Sequence, residues 1–242
     1  MSTQNSNSEV IFSSIPLYSQ HEDTALSNSQ SDMLFEGAGV LERSAGEAAA
    51  QLTIAWSNER NAPEVLPYER GLVEFLLETV ERQVEKVMED MENHVENKFE
   101  SMVYQTEIER VKYVIKSYLR CRLFKIEKFT LYLLRLPNLK EILSHQEIIY
   151  ARSYQELLES HYHHTFLHQL PRTQQKQDEI IQDMSMVVEP NLDAPVFCRV
   201  LTNVGHVDIG NSDSVLFEAG DIYILRYSDV QQHLKDKKVK LI

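Results

Sequence analysis

The fold is decided by residues 104–136, YQTEIERVKYVIKSYLRCRLFKIEKFTLYLLRL, because their apolar positions recur at helical spacing. One side of the helix predicted by this spacing carries Ile108, Val111, Ile115, Leu119, Ile126, Phe129 and Leu133. A second set widens that surface: Tyr113, Val114, Tyr118, Cys121 and Phe124. So broad an apolar surface predicts a long helix that contacts several neighbours.

The residues on either side of this stretch predict three further helices. An alanine-rich helix follows Ser44 and Glu47, which have capping-box spacing, and it ends before Pro63. From about residue 69, a heptad seam predicts a long amphipathic helix through Val73, Leu77, Val80, Val84, Val87 and Met91. Ser144 and Glu147 repeat the capping-box spacing at the start of a last helix that runs to about residue 168.

Short β-branched or aromatic runs replace the helical pattern towards the C-terminus. They lie at residues 186–188, 196–201, 204–209, 215–217 and 222–226, with a short helix at 228–235 and a last strand at 239–242. The prediction is an α+β fold: an N-terminal all-α helical bundle domain (44–170), a polar linker (171–185) and a small β-rich C-terminal domain (186–242). Residues 1–43 are predicted to be a disordered tail, because they lack a sustained apolar pattern.

Composition limits the classes of function. Lysine and arginine total 24 against 37 aspartates and glutamates, and the net charge of -13 repels a phosphate backbone. Little autonomous DNA binding is therefore expected. The apolar runs are far shorter than the roughly 20 residues that span a bilayer, and residues 1–20 carry no secretion signal. We expect a cytosolic or nuclear protein without a membrane partner.

No residue pattern points to catalysis or to a cofactor. The seven glycines form no phosphate-binding loop of the GxGxxG or P-loop type, and there is no GxSxG elbow. Cys121 and Cys198 are predicted to be reduced, buried thiols rather than a disulfide. The prediction is a protein that is not an enzyme and holds no cofactor.

Four histidines near the end of the last predicted helix form the most suggestive metal-ligand pattern: His161, His163, His164 and His168. His161, His164 and His168 are spaced three and four apart, so they could share one helical face. The HExxH order is absent and no cysteine lies nearby. A solvated or interfacial helix end is therefore favoured over a zinc site, and no metal ligand is predicted.

Basic residues form a local positive stripe on the central helix. Lys112, Lys116 and Arg120 recur every four residues, and the neighbouring cations are Arg110, Arg122, Lys125 and Lys128. This stripe could follow the phosphates of DNA. Pairing with the acidic helix or with an acidic partner subunit is favoured, because the whole chain is anionic.

Two stretches carry a family resemblance. Residues 55–68, AWSNERNAPEVLPY, resemble the opening motif of the Sld-five-type subunits of the GINS complex, and residues 109–129, ERVKYVIKSYLRCRLFKIEKF, resemble their signature central helix. Weaker similarity continues in residues 192–193, 196–200, 225–227 and 239–242. The resemblance covers roughly residues 45–242.

The resemblance implies a non-catalytic scaffold in a nuclear heterotetramer with three related GINS subunits. This tetramer would join the MCM ring and Cdc-forty-five in the replicative helicase, act in initiation and elongation, and reach polymerases directly or through an adaptor. In this family the first helix would be locked into the bundle by Trp56, Asn58, Glu59 and Arg60. The central helix would be positioned by Tyr118, Arg120, Arg122 and Lys125, and the C-terminal candidates are Arg226, Leu241 and Ile242.

Two other functions stay open at this point. One is a helical coiled-coil adaptor unrelated to replication, which the heptad seam would serve. The other is a zinc-dependent enzyme built on the histidines. A separate hypothesis is a short recruitment element at residues 32–36, DMLFE, where an apolar cluster is flanked by acids. The family resemblance implies that such a tail docks an adaptor that leads to polymerase alpha.

Overall fold

The computed structural model describes residues 45–93, 98–171, 174–176, 178, 180–181, 184–209 and 213–242. The predicted tail, the candidate recruitment element at 32–36 and the Ser44 helix cap lie outside these residues. The described residues from Ala45 onward belong to one compact unit. Among them, no helix is both long and apolar enough to span a membrane.

Seven α-helices occur in the described part of the chain: α1 (Ala45–Asn61), α2 (Arg70–Asn93), α3 (Lys98–Lys128), α4 (Thr130–Arg135), α5 (Leu139–Ile142), α6 (His145–Thr165) and α7 (Tyr227–Lys235). A 3₁₀ turn, Leu167–Gln169, follows α6. The first helix therefore ends just before Pro63, as predicted.

Helices α1, α2 and α3 share one apolar core: Ala48, Leu52, Leu72, Val73, Leu76, Ile115 and Tyr118. The heptad seam predicts that Leu77 faces this core, and this is wrong. Leu77 is 49 % exposed, whereas Leu76 is 1 % exposed. Because α2 packs against both α1 and α3, Leu72 and Leu76 lie inward beside Val73, and Leu77 lies on the outer side.

The predicted central helix differs from the observed one at both ends. The observed helix α3 begins at Lys98 instead of about residue 104. It ends at Lys128, and α4 begins directly after Phe129. The Thr130 hydroxyl donates to the carbonyls of Ile126 and Glu127 at 2.6 and 3.0 Å. A threonine that bonds back to the preceding turn competes with the helical ladder and bends the helix, which explains the break.

The second half of α3 packs with α4, α5 and α6 around another apolar core: Val65, Ile126, Phe129, Leu133, Leu139, Leu143, Ile148 and Ala151. Val65 comes from the connection between α1 and α2. This core therefore holds the α1–α2 connection against the central helix.

The described strands are β1 (Ile180–Ile181), β2 (Met184–Ser185), β3 (Pro195–Val200), β4 (Gly205–Ile209), β5 (Asp213–Phe217), β6 (Ile222–Arg226) and β7 (Val239–Leu241). They form a three-stranded antiparallel sheet in the order β6-β3-β7 and two antiparallel pairs, β1-β2 and β4-β5. The prediction of an α+β fold with a helical region before a small antiparallel sheet region is confirmed.

One predicted strand is wrong. Residues 186–188 lie outside the strands, and the short pair β1-β2 lies instead within the stretch predicted as a linker. The Val187 N–H donates to the Ser185 hydroxyl at 3.2 Å. Such a local bond offers the backbone an alternative to a sheet ladder.

The C-terminal core is formed by the three-stranded sheet, the β4-β5 pair and α7: Val196, Cys198, Val200, Val207, Phe217, Tyr227, Val230, Leu234, Val239 and Leu241. Ala62, directly after α1, belongs to the same core. The sheet region therefore packs on the end of the first helix. Gly220, with φ of 104°, makes the turn before β6, a conformation that favours glycine.

Candidate functional site

Four charged side chains are buried together in the helical region, and we call them the ionic hub. They are Glu59 on α1, Arg122 and Lys125 on α3, and Glu147 on α6. Arg122 has no exposed surface and Glu59 has 1 %. Two cations meet two carboxylates, and buried charges are tolerated in this way only when they are paired and hydrogen-bonded.

Arg122 is the centre of the hub. Its Nε and Nη2 donate to the two carboxylate oxygens of Glu147 at 2.7 and 3.1 Å, and its Nη1 donates to Glu59 Oε2 at 3.1 Å. Its Nη1 and Nη2 also donate to the carbonyls of Leu66 and Ile142 at 2.6 and 3.0 Å. One side chain on α3 therefore fixes α1, α6, the loop that follows α1 and the end of α5.

Lys125 completes the hub one turn further along α3. Its Nζ donates to Glu59 Oε1 at 2.9 Å and to the carbonyl of Glu64 at 2.7 Å, and it also contacts the carbonyl of Glu59. Spacing of three residues places Arg122 and Lys125 on the same face of α3. Both cations are thus used to hold the C-terminal end of α1 and the loop beyond it.

Two tyrosines enclose the hub. The Arg122 guanidinium carbon lies 5.2 Å from the ring centroid of Tyr68 and 5.7 Å from that of Tyr118. The Tyr118 hydroxyl accepts a hydrogen bond from the Glu69 N–H at 3.3 Å. Burial raises the pKa of Tyr118 to about 12, although the charge of Arg122 opposes the shift.

The protonation state of Arg122 is fixed by the same contacts. Burial by itself lowers the pKa of a guanidinium, but the hydrogen bonds that Arg122 donates to Glu147 and the charge of Glu59 outweigh burial and raise the pKa above its ordinary value. The hub therefore offers a permanently charged and fully paired cation rather than a proton donor or acceptor.

Glu147 reaches the hub because of where α6 begins. The Ser144 hydroxyl accepts from the Glu147 N–H at 3.2 Å, and Glu147 Oε2 accepts from the Ser144 N–H at 2.8 Å. The capping box predicted from the sequence is confirmed. The carboxylate that caps α6 is the one that pairs with Arg122, so the helix start and the hub fix each other.

A second set of polar contacts joins the C-terminal strand to α1. Asn58 Oδ1 accepts from the Leu241 N–H at 2.8 Å, and the Ser57 hydroxyl donates to the Leu241 carbonyl at 3.1 Å. We call these two bonds the β7 clasp. Leu241 is 1 % exposed and Ile242 is 49 % exposed. Side chains of α1 thus satisfy the outward backbone groups of the last strand.

Glu64 makes a further link to the C-terminal region. Its Oε1 accepts from the Tyr227 hydroxyl at 2.7 Å and from the Gln231 amide at 2.6 Å. Tyr227 is fully buried, and burial together with the Glu64 carboxylate raises the pKa of its hydroxyl. Because the Glu64 carbonyl accepts from Lys125, one residue connects the hub to α7.

The structure places the remaining sequence candidates at or near the surface. Trp56 is half-buried and meets Tyr113 edge to face, with ring centroids 6.3 Å apart. Arg60 and Arg120 are exposed. Arg226 is exposed and its Nε lies 3.4 Å from Asp229 Oδ2.

The predicted basic stripe is not one continuous surface, because Arg122 and Lys125 turn inward to the hub. Arg110 pairs with Glu107 at 2.8 Å, and Lys112 pairs with Glu109 at 3.1 Å, both within α3. These are exposed helical pairs of ordinary spacing. Because these two cations are already paired with glutamates, fewer unpaired positive charges are left on α3 to bind the phosphates of DNA.

The histidine pattern is partly explained by local bonding. His168 Nδ1 lies 2.9 Å from the His163 carbonyl, which belongs to the end of α6. Within the described ranges, no group of three or more histidine, cysteine, aspartate or glutamate side chains is arranged to hold a metal ion. The described geometry therefore gives no support to the zinc alternative.

Sequence reasoning missed Glu64, Tyr68 and Tyr227, and it read Glu147 only as a cap. Glu64 and Tyr68 lie in the quoted stretch 55–68. The signal that could have found Glu64 was a carboxylate in this stretch together with two cations, Arg122 and Lys125, on the central helix. Tyr227 directly follows β6 and carries no distinctive spacing. Its partner lies 163 residues away in the sequence, so no local pattern could find it.

Two family models match this α+β arrangement. The GINS complex protein helical bundle domain matches residues 77–165, and the C-terminus of the DNA replication complex GINS protein SLD5 matches residues 190–242. Both models describe GINS proteins, and the second describes a protein of the DNA replication complex; this is the class to which the helical bundle and the small sheet belong.

Individual relatives agree with the models. The DNA replication complex GINS protein sld5 of Schizosaccharomyces pombe is 34 % identical over 212 residues, which cover 87 % of this chain and 97 % of that protein. The SLD5 protein of Arabidopsis thaliana is 36 % identical over 194 residues, covering 78 % and 88 %. The SLD5 protein of Mus musculus is 30 % identical over 207 residues, covering 81 % and 89 %.

The chain belongs to the SLD5 family of GINS proteins. The resemblance inferred from residues 55–68 and 109–129 is confirmed. Membership in a family of DNA replication proteins argues against the coiled-coil adaptor unrelated to replication.

Proposed function

We propose that this chain is a non-catalytic scaffold subunit of a GINS heterotetramer, in which it binds three related subunits. The relatives are named as GINS proteins of a DNA replication complex. The hub supports a structural role, because its charged groups are buried and bonded to one another and to backbone carbonyls.

The observation that carries the proposal is an uncovered apolar face at the start of α3, which we call the α3 apolar face. It consists of Phe99, Met102 and Val103, which are 77 %, 64 % and 54 % exposed. Spacing of three and four residues puts them on one side of the helix, opposite to the inward-facing Ser101 and Ile108, which are buried. A contiguous exposed apolar patch of this kind marks a protein–protein interface.

The tetramer would join the MCM ring and Cdc-forty-five in the replicative helicase and would reach polymerases directly or through an adaptor. This role would place the chain in the nucleus during initiation and elongation of DNA replication. Little autonomous DNA binding is proposed, because the net charge is -13 and two of the central-helix cations are buried.

We retain as a proposal the division into a helical domain (44–170), a linker (171–185) and a β-rich domain (186–242), with a tail at 1–43. The two family models match on either side of that linker. The hydrogen bonds of Glu64 and of the β7 clasp support a β-rich domain that docks on the helical domain in the same chain.

Co-expression of the full chain with the three other GINS subunits tests the proposal. Phe99→Glu should reduce recovery of the tetramer at least tenfold in size-exclusion chromatography, because it puts a charge into the α3 apolar face. Gln105→Glu adds the same charge at an exposed polar position of the same helix, about 120° around the helix from Phe99, and should leave recovery unchanged.

Circular dichroism of both variants checks that α3 is still helical. If Phe99→Glu assembles as well as Gln105→Glu, the α3 apolar face is not an interface. If the unmodified chain binds none of the three subunits, the proposed function itself is wrong.

A further inference from the structure

The two edge strands of the three-stranded sheet, β7 and β6, differ in how their outward backbone groups are bonded. At the β7 edge, the N–H and carbonyl of Leu241 are bonded by Asn58 and Ser57 in the β7 clasp. At the other edge, β6 pairs with β3 on one side, and no described strand pairs with its other side. The sheet thus has one covered edge and one open edge.

The register shows which backbone groups lie on the open edge. Val200 N–H donates to the Asp221 carbonyl at 2.9 Å, and Tyr227 N–H donates to the Ala194 carbonyl at 3.0 Å. Bonds in an antiparallel ladder involve alternate residues, so the residues at 221, 223, 225 and 227 point their backbone groups towards β3. The N–H and carbonyl groups of Ile222 and Ile224 therefore point outward.

The side chains beside that edge are apolar and exposed. Ile222 and Ile224 are 52 % and 60 % exposed, and Phe197, which pairs directly with Ile224, is 55 % exposed. Strand β6 reads IYILR and contains neither proline nor lysine. Proteins usually protect edge strands with such residues, with bulges or with a covering element.

Cations border the apolar patch at both ends. Arg199 pairs across the sheet with Ile222 on one side and with Lys240 on the other, and Arg226 pairs with Pro195. Arg226 uses Nε for the ion pair with Asp229, and the guanidinium fork has four further N–H donors. The outer face of the sheet therefore presents two isoleucines and a phenylalanine between arginines.

We propose that the open edge of β6 binds an extended segment of another polypeptide in which acidic residues flank apolar ones. The segment adds a fourth strand beside β6. Its backbone bonds to the outward groups of Ile222 and Ile224, its apolar side chains cover the exposed isoleucines, and its acidic side chains meet Arg226 and Arg199. Backbone bonds give such complexes their affinity, and alternate side chains give them their specificity.

A second copy of this chain fits the edge less well. Antiparallel pairing of β6 with another β6 would bring the arginine-bordered outer faces of two sheets side by side, and each chain carries a net charge of -13. Like charges across an interface are unfavourable. An acidic segment complements the local positive border instead. This inference goes beyond the proposed function, because it assigns a partner chemistry to a surface far along the chain from the α3 apolar face.

Hydrogen–deuterium exchange on the full chain, alone and with its co-purified subunits, tests the proposal. The probe is a blocked seven-residue peptide with glutamates at both ends, valines at the third and fifth positions and threonines between them. At saturation it should slow exchange of the Ile222 and Ile224 amides by about tenfold, as expected for one added hydrogen bond of ordinary net strength. The same peptide with lysines in place of the glutamates should bind at least tenfold more weakly.

Two variants locate the contact. Ile224→Pro removes an outward N–H, which an edge strand tolerates because that group does not pair with β3. It should abolish the protection of Ile222. Ile224→Glu keeps the backbone donor and opposes the glutamates of the probe, so it tests the site even if the proline variant unfolds. Leu216→Glu, at an exposed position of β5, is the matched control and should bind the probe normally.

The proposal fails if the acidic peptide leaves the β6 amides unprotected, or if the lysine peptide protects them equally. It also fails if protection of β6 rises with protein concentration and dimer formation in the absence of peptide, because the occupant is then a second copy.

Discussion

Replacement of Arg122 by methionine isolates the contribution of the ionic hub. The change keeps an unbranched side chain of similar reach but removes the cation that pairs with Glu147 and one of the two cations that pair with Glu59. It also leaves the carbonyls of Leu66 and Ile142 without this donor. Removal of one partner from a buried ion pair costs about 3–5 kcal/mol. A domain has only about 5–15 kcal/mol of stability, so we expect most of the stability of the helical region to be lost.

Urea unfolding of the full chain, followed by circular dichroism at low protein concentration, measures this loss. Arg120→Met changes an exposed arginine two residues away on the same helix, and its free energy of unfolding should differ from the unmodified chain by less than about 0.5 kcal/mol. Glu147→Gln added to Arg122→Met should recover on the order of 1–2 kcal/mol, because glutamine still caps α6 but is not a buried unpaired charge. If Arg122→Met unfolds within 1 kcal/mol of Arg120→Met, the hub does not hold the bundle together.

Two further predictions concern the tyrosine of the hub and the chain end. The pKa of Tyr118 is raised to about 12 in the folded state, so the unfolded chain loses this proton at a lower pH than the folded chain. The free energy of unfolding should therefore fall as pH rises from about 10 to 12. Urea unfolding of Tyr118→Phe across that range should show a smaller fall. Deletion of Leu241 and Ile242 removes the β7 clasp and a buried leucine worth about 1.5–3 kcal/mol, so the melting temperature should fall by several degrees. Deletion of Ile242 alone should have a much smaller effect. Equal melting temperatures for the two truncated chains would contradict the role of the clasp.

Local patterns predicted the elements of this fold well because each is marked by residues close in sequence. The capping box of Ser144 and Glu147 and the proline after α1 depend on neighbours within one turn. Errors arose where packing or local bonding overrode the pattern. Leu77 fits a heptad but lies outward, and Thr130 lies within an apolar periodic stretch but breaks the helix through its hydroxyl.

The hub was only partly predictable for a related reason. The stretch 55–68 and the central helix contain Glu59, Arg122 and Lys125, but sequence spacing alone could not decide whether the cations faced a phosphate, a partner subunit or the interior. Their partners lie 25 to 66 residues away in the chain. Only the crossing of α1, α3 and α6 brings them together, and that crossing is a tertiary property.

The end of α1 explains how the hub and the C-terminal strand depend on one another. Successive helical residues point about 100° apart, so Asn58 and Glu59 face in different directions from the same turn. Asn58 bonds the backbone of Leu241, and Glu59 pairs with Arg122 and Lys125. A shift of this turn would therefore break contacts on both sides. The chain end is held by a helix that the central arginine itself holds, so the bundle and the sheet are connected through this turn.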